Sequence, residues 1–209
     1  MFPSDSRSFD PQRPDGALLL EAYSRGVFPM VDTRRNRIEW YCPEPRGVLP
    51  LDRFHVPHNL AKSLRRQRFE IRIDSAVGEV MAACAGHRGR GNPSWMNEAL
   101  MAAYLDLAAR GHVHSVEAWL DGRLVGGLYG VRLRGAFFGE SMFVRPELGG
   151  TDASKVCLAH LVARLREGGF SLLDTQVVTD HMRQFGTVEI PAADYLERLA
   201  KALRHDARW

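Results

Sequence analysis

Cysteine is scarce in this chain, no long apolar run occurs, and neither sign of charge dominates; each shortage removes a class of protein. The three cysteines, Cys42, Cys84 and Cys157, are odd in number and widely spaced. No Cys-x-x-Cys pair or neighbouring histidine at ligand spacing accompanies them, so neither a disulfide framework nor a structural metal is expected. No apolar stretch approaches the roughly 20 residues that cross a bilayer. Met1 to Gly16 is polar and carries Pro3, Pro11 and Pro14, unlike the apolar centre of a signal peptide. A cytoplasmic protein with reduced thiols and no membrane partner is the expectation. No Gly-x-x-x-x-Gly-Lys loop is present, so no nucleotide or other cofactor is expected. The net charge of +3 is too mild to identify a nucleic-acid partner by itself.

What is present is enough to build a core: 209 residues, 45% of them hydrophobic. Residues 1–16 read as a flexible leader. A short apolar helix follows over Leu18 to Tyr23, stopped by Gly26, and Phe28-Pro29 forces an extended exit. Ile38 to Tyr41 reads as a strand resumed by Val48-Leu49. Asn59 to Arg68 has helical spacing, with Leu60 and Leu64 on one face and Lys62, Arg65 and Arg66 on another. Phe69 to Ile73 alternates as a strand does, and helices follow over Ala76–Ala85 and Asn97–Arg110. Beyond Gly111 come strands over Ser115–Leu120, Arg123–Arg132 and Ala136–Phe143, the first two joined by an Asp121-Gly122 turn. A helix over Ala153–Glu167, a buried strand over Phe170–Val178 and a helix over Ala192–Leu203 complete the order. This is an α+β pattern, a mixed sheet flanked by helices. The division expected is a small N-terminal α/β region over 17–90 and a larger domain over 91–209, with the boundary between Ala85 and Trp95.

Two polar groups interrupt otherwise apolar strands: Glu140-Ser141 within Ala136 to Phe143, and Asp174 with Gln176 within Leu172 to Val178. A carboxylate among aromatics costs several kcal/mol to desolvate unless it is paired. Alternation puts Asp174 and Gln176 on one face. An ion pair with arginine would account for Glu140 alone, and a loop cap for Asp174 alone. Together they outline an acidic pocket with apolar walls, suited to a cationic group beside an apolar one.

Several segments carry a resemblance. Tyr23-Ser24-Arg25-Gly26-Val27-Phe28-Pro29, Trp40-Tyr41-Cys42-Pro43-Glu44-Pro45-Arg46 and Gly111 to Glu117 are three of them. Gly126-Gly127-Leu128-Tyr129-Gly130-Val131, Phe137 to Phe143, Ala153-Ser154-Lys155, Leu173-Asp174-Thr175-Gln176 and Glu189-Ile190-Pro191 are the others. In order and wording they resemble the leucyl/phenylalanyl-tRNA–protein transferases, over about Leu18 to Leu199. The resemblance implies a C-terminal domain like the N-acetyltransferases that uses aminoacyl-tRNA in place of coenzyme A. It implies Leu or Phe donors, with Met a lesser one, and acceptor proteins beginning with Arg or Lys, which the product marks for N-end rule degradation. A monomer is expected.

Under that resemblance Gln176 accepts a hydrogen bond from the attacking amine, Asp174 orients Gln176 or holds the acceptor's charge, and Glu140 recognises the basic N-terminal side chain. Leu128, Phe137, Leu161 and Leu173 match the family's aminoacyl pocket, although helix and strand residues at core spacing also serve as plain core. Trp95, in a Gly- and Pro-rich loop, is a stacking partner for adenine. Lys62, Arg65 and Arg66 match the family's basic helix and would track tRNA phosphates. Two positions depart from the pattern: Met30 stands where many members carry Trp, and His58 where a basic residue is usual. A coenzyme A-dependent N-acyltransferase is the alternative, because Arg145-Pro146-Glu147-Leu148-Gly149-Gly150 approaches a pyrophosphate loop, with Leu148 at its first glycine position. A non-catalytic RNA-binding module fits less well, since Glu140 and Asp174 would repel phosphate.

Overall fold

The computed structural model describes residues 10–86 and 96–209. Asp15 caps the first helix by accepting the Leu18 N–H, so α1 spans Gly16–Ser24. The chain then folds back on itself: β1 (Phe28–Asp32) pairs antiparallel with β2 (Arg37–Tyr41) as a separate two-stranded hairpin. Where Phe28-Pro29 implies only an extended exit, pairing with β2 makes it a strand.

The main sheet has seven strands in the order β4-β5-β6-β7-β8-β3-β9. They are β3 (Arg46–Val48), β4 (Glu70–Ile73), β5 (Val113–Leu120), β6 (Arg123–Leu133), β7 (Ala136–Val144), β8 (Leu172–Gln176) and β9 (Val188–Ile190). Among the described residues only β7 and β8 run parallel, because α5 (Ala153–Glu167) lies between them in the chain and carries it back over the sheet. All other pairs are antiparallel. This is the expected mixed sheet with helices on it. β3 and β4 come from the part of the chain read as a separate N-terminal region, so the sheet runs across the boundary expected between Ala85 and Trp95.

Two apolar clusters cover the two faces. One gathers Leu19 and Tyr23 of α1, Val80 and Met81 of α3 (Val77–Gly86), Leu100 and Tyr104 of α4 (Glu98–Ala109) and Tyr195 and Leu199 of α7 (Ala192–Ala202) against Tyr129 and Phe138. The other gathers Leu60 of α2 (His58–Arg66) with Leu158, Leu161 and Leu165 of α5 against Leu128, Phe137 and Leu173. α5 lies close on β6, where a Cβ on Gly126 would come within 2.5 Å of the Ala153 side chain. Among the described residues no helix is long and apolar enough to cross a membrane.

Candidate active site

The sheet opens where β7 and β8 part. Their pairing lasts for three residue pairs, ending at Phe138 with Asp174, after which β7 continues to Val144 while β8 ends at Gln176. Both strands are bulged at this point. In β7 Tyr129 pairs with Ser141 and Gly130 with Gly139, leaving Glu140 as the extra residue. In β8 Gly47 pairs with Gln176 and Val48 with Asp174, leaving Thr175 extra. Bulges turn side chains out of the ladder, and here they do so on adjacent strands.

The opening holds a cavity of about 310 Å³, at the small end of ligand sites. Its walls are apolar, from Leu128, Met142, Leu158, Leu161 and Leu173, and its polar side comes from Glu140, Ser141, Thr175 and Gln176. The rim is formed by Val177, Thr179, His181 and Met182, the last two on α6 (Asp180–Arg183). Burial, with the charge of Lys155 added, lowers the His181 pKa and favours a neutral imidazole.

Gln176 sits in the left-handed region at φ +57°, and the Val177 N–H reaches back 2.7 Å to the Thr175 carbonyl. This is a tight γ-turn with a non-glycine residue at its centre, a conformation that persists only where its surroundings hold it. The holding group is Asp174, whose Oδ1 accepts the Gln176 N–H at 2.8 Å. Asp174 is fully buried and also accepts from Arg46 and from the Tyr195 hydroxyl at 2.7 Å. Gln176 lines the cavity with Leu173, while Asp174 is turned to Arg46 and Tyr195. The bulge thus overturns the alternation that put Asp174 and Gln176 on one face. Because Arg46 already pairs with Asp174, the second expected role for this acid, holding the acceptor's charge, does not fit. The amide nitrogen of Gln176 has no hydrogen-bond partner among the described residues.

Glu140 has no arginine partner among the described residues; hydroxyls bind it instead. Tyr23 donates to Oε1 at 2.7 Å and Tyr104 to Oε2 at 3.2 Å, and the two hydroxyls lie 2.5 Å apart. Burial pushes the Glu140 carboxyl up to about 7, opposed by the Tyr23 bond and assisted by the nearby charge of Asp174. Burial likewise raises both tyrosines well above their ordinary value, so they remain donors. At neutral pH Glu140 is therefore poised between charge states and sensitive to a cation beside it.

Of the expected pocket residues, Leu128, Leu161 and Leu173 line the cavity and Phe137 does not. Phe137 is fully buried behind the wall, stacked on Trp209 at 5.4 Å with planes 9° apart. Met142 and Leu158 take places that sequence reading passed over. Leu158 was findable as the residue one turn before Leu161, and Met142 as the second residue after Glu140. Lys62, Arg65 and Arg66 are exposed on α2, and among the described residues none has a carboxylate within salt-bridge distance. Trp95 lies outside the described residues. Tyr23, Tyr104, Arg46 and Tyr195 were not singled out; nothing in a linear sequence marks a tyrosine as a partner of an acid 117 residues away.

The coenzyme A alternative fails on the loop meant to serve it. The amides of Leu148, Gly149, Gly150 and Ala153 are bonded to carbonyls of Arg145, Pro146, Arg145 and Gly150, so they are not presented to a pyrophosphate. Asp152 adds a carboxylate at the helix start, paired with Lys155 at 2.8 Å. Among the described residues no three His, Cys, Asp or Glu side chains gather as a metal requires.

The family described as leucyl/phenylalanyl-tRNA protein transferase matches residues 48–200, and its N-terminal domain matches 15–44. The second range takes in α1 and the β1–β2 hairpin, and the first most of the remainder. A leucyl/phenylalanyl-tRNA–protein transferase of Paramagnetospirillum magneticum is 55% identical over 191 residues, covering 91% of this chain and 90% of that protein. One from Rhizorhabdus wittichii is 54% identical over 190 residues, covering 90% and 75%. Among solved structures, a GCN5-related N-acetyltransferase from Kribbella flavida aligns at 13% identity and TM-score 0.43, over 83% of this chain and 59% of that one. A ribosomal-protein-alanine N-acetyltransferase from Brucella melitensis biovar Abortus aligns at 19% identity and TM-score 0.40, over 56% and 86%. Likenesses that slight carry no argument, whereas the family matches and the identities above 50% leave no room for another assignment: the chain belongs to the leucyl/phenylalanyl-tRNA–protein transferase family.

Proposed function

We propose that this enzyme moves leucine or phenylalanine, and methionine less readily, from tRNA to the α-amine of proteins that begin with arginine or lysine. The observation that carries the reading is the cavity itself: apolar walls of a size for one such side chain, opening onto Glu140 and Gln176. The aminoacyl side chain enters between Leu128, Leu161 and Leu173. The ester carbonyl then lies near Gln176 and the acceptor's cation near Glu140.

In the reaction the neutral α-amine attacks the ester carbonyl carbon. A C–N bond forms, the bond to the ribose 3′-oxygen breaks, and the proton lost by the amine ends on that oxygen. The amide oxygen of Gln176 accepts a hydrogen bond from the amine as positive charge grows on it; an amide is no general base, so its part is orientation and electrostatic stabilisation. Glu140 selects a basic first residue by charge. α2 tracks the acceptor-stem phosphates through Lys62, Arg65 and Arg66, and Trp95 stacks on the terminal adenine. The enzyme works as a cytoplasmic monomer, needs no metal or added nucleotide because the ester is already activated, and delivers its products to N-end rule degradation.

Purified protein incubated with labelled Leu-, Phe- and Met-tRNA and with peptides differing only in the first residue tests this. Label should pass to Arg- and Lys-initiated peptides and not to neutral ones. Equal transfer to all peptides, or none to any, would refute it.

A further inference from the structure

Arg46 is completely buried and heads the large side chains that are so among the described residues. Its Nε and Nη2 donate to Asp174 at 3.0 and 2.7 Å, and Nη1 donates to the Gly26 carbonyl at 2.7 Å. The guanidinium lies between the rings of Phe28, at 5.0 Å, and Tyr195, at 4.4 Å. Burial opposes its charge, yet the bonds and charge of Asp174 more than offset this and hold its pKa up. Stability gives no reason for such a pair, since an apolar pair of similar volume commonly holds strands together as well or better. What a two-pronged pair supplies and an apolar one does not is a fixed rotation of the carboxylate.

That rotation has a use. Asp174 Oδ1 takes both the Arg46 Nε–H and the N–H of Gln176. A carboxylate free to turn would release the γ-turn, and Gln176 would relax from its positive φ and swing its amide away from the cavity. We propose that Arg46 is a positioning residue for amine attack: its fork sets Asp174, and Asp174 sets Gln176. The same guanidinium holds the backbone at Gly26, three residues beyond Tyr23, which binds Glu140. Glu140 and Gln176 are thereby referred to one anchor, and the N-terminal segment is tied to β8. This inference rests on the reading of Gln176 given above.

The test compares wild type with Arg46→Lys, which keeps the charge and loses the fork, and with Arg46→Met/Asp174→Asn, which removes the buried charges but leaves an oxygen for the Gln176 N–H. Melting temperature, aminoacyl-tRNA affinity and the single-turnover rate at saturating donor are measured well below melting, with Leu-tRNA and an Arg-initiated peptide. A positioning role lowers the rate at least about tenfold in each folded variant while donor affinity stays within about twofold. A folded Arg46→Lys or neutral pair with wild-type rate would overturn it. Loss of folded protein in both would assign Arg46 to stability and overturn it too. No transfer by wild type would instead refute the function, and this inference with it.

Discussion

The hydroxyl of Tyr23 lies 2.7 Å from Oε1 of Glu140, joining the first helix to the bulge of β7. Since the Glu140 carboxyl is pushed up to about 7, chiefly by burial, its charge appears as pH rises through neutrality. Preference for an Arg-initiated over a neutral peptide should therefore be large at pH 8 and shrink toward pH 6. Tyr23→Phe removes a bond that favours the carboxylate, so the loss should begin at higher pH. The ratio of kcat/KM for the two peptides, followed from pH 5.5 to 8.5, checks this; a flat ratio would exclude Glu140 as the charge reader.

The same group affects stability with a definite sign. The folded state holds this proton to about pH 7 and the unfolded chain to about 4.5, so the folded state binds more protons in between and ionisation of Glu140 costs stability as pH rises. The cost approaches roughly 3 kcal/mol above pH 7, at ~1.4 kcal/mol per pKa unit. Glu140→Gln should therefore gain on wild type in denaturant melts as pH is raised from 4.5 to 7.5. A difference independent of pH would show that the carboxyl titrates in its ordinary range.

Leu161 and Phe137 belong to one apolar cluster, but only Leu161 lines the cavity. Leu161→Phe places extra carbon in the donor pocket and should lower use of Phe-tRNA relative to Leu-tRNA by about tenfold or more, within the 1–3 kcal/mol that such pockets discriminate. Phe137→Ala should cost about 3–5 kcal/mol of stability and leave the donor ratio nearly unchanged. Competition between the two charged tRNAs, read beside melting curves, separates wall from backing. Equal effects on the donor ratio would put Phe137 back in the pocket.

Lys62, Arg65 and Arg66 project from α2 into solvent. If each meets a phosphate, alanine at all three should flatten the plot of log affinity for aminoacyl-tRNA against log salt by about two to three units, roughly one per lost contact. The rate at saturating donor should hardly change. An unchanged slope would return α2 to an ordinary solvated face.

The sequence made the long elements legible because their periodicity is set locally: α4 and α5 follow their apolar spacing, and Asp121-Gly122 turns the β5–β6 hairpin with both residues at positive φ. β9 and α6 were missed, being three and four residues long, too short for any period to register. The acids were visible as polar residues in apolar strands, but their partners were not. Arg46 and Asp174 are 128 residues apart, and only the placement of β3 beside β8 brings them together. The bulges at Glu140 and Thr175 were equally invisible, because strand alternation assumes a regular ladder. Phe137 was misplaced for a similar reason: its ring is claimed by Trp209, at the far end of the sequence.

Gln176 and Asp174 offer the sharpest test of mechanism. If Gln176 faces the attacking amine, Gln176→Ala should lower the single-turnover rate about 10²-fold, the scale of losing one transition-state hydrogen bond, with donor affinity within about twofold of wild type. Asp174→Asn should act in the same direction and less severely, since its amide oxygen can still accept the Gln176 N–H but the charge that pairs with Arg46 is gone. In Gln176→Ala the side chain that Asp174 serves is already missing, so adding Asp174→Asn should lower the rate little further. The double variant should thus lose far less than the product of the single losses, as expected for residues acting through one network. Independent, multiplying losses would mean that Asp174 acts on the reaction by a route other than Gln176. Near-normal turnover in Gln176→Ala would move activation of the amine to another group, such as a ribose hydroxyl of the donor.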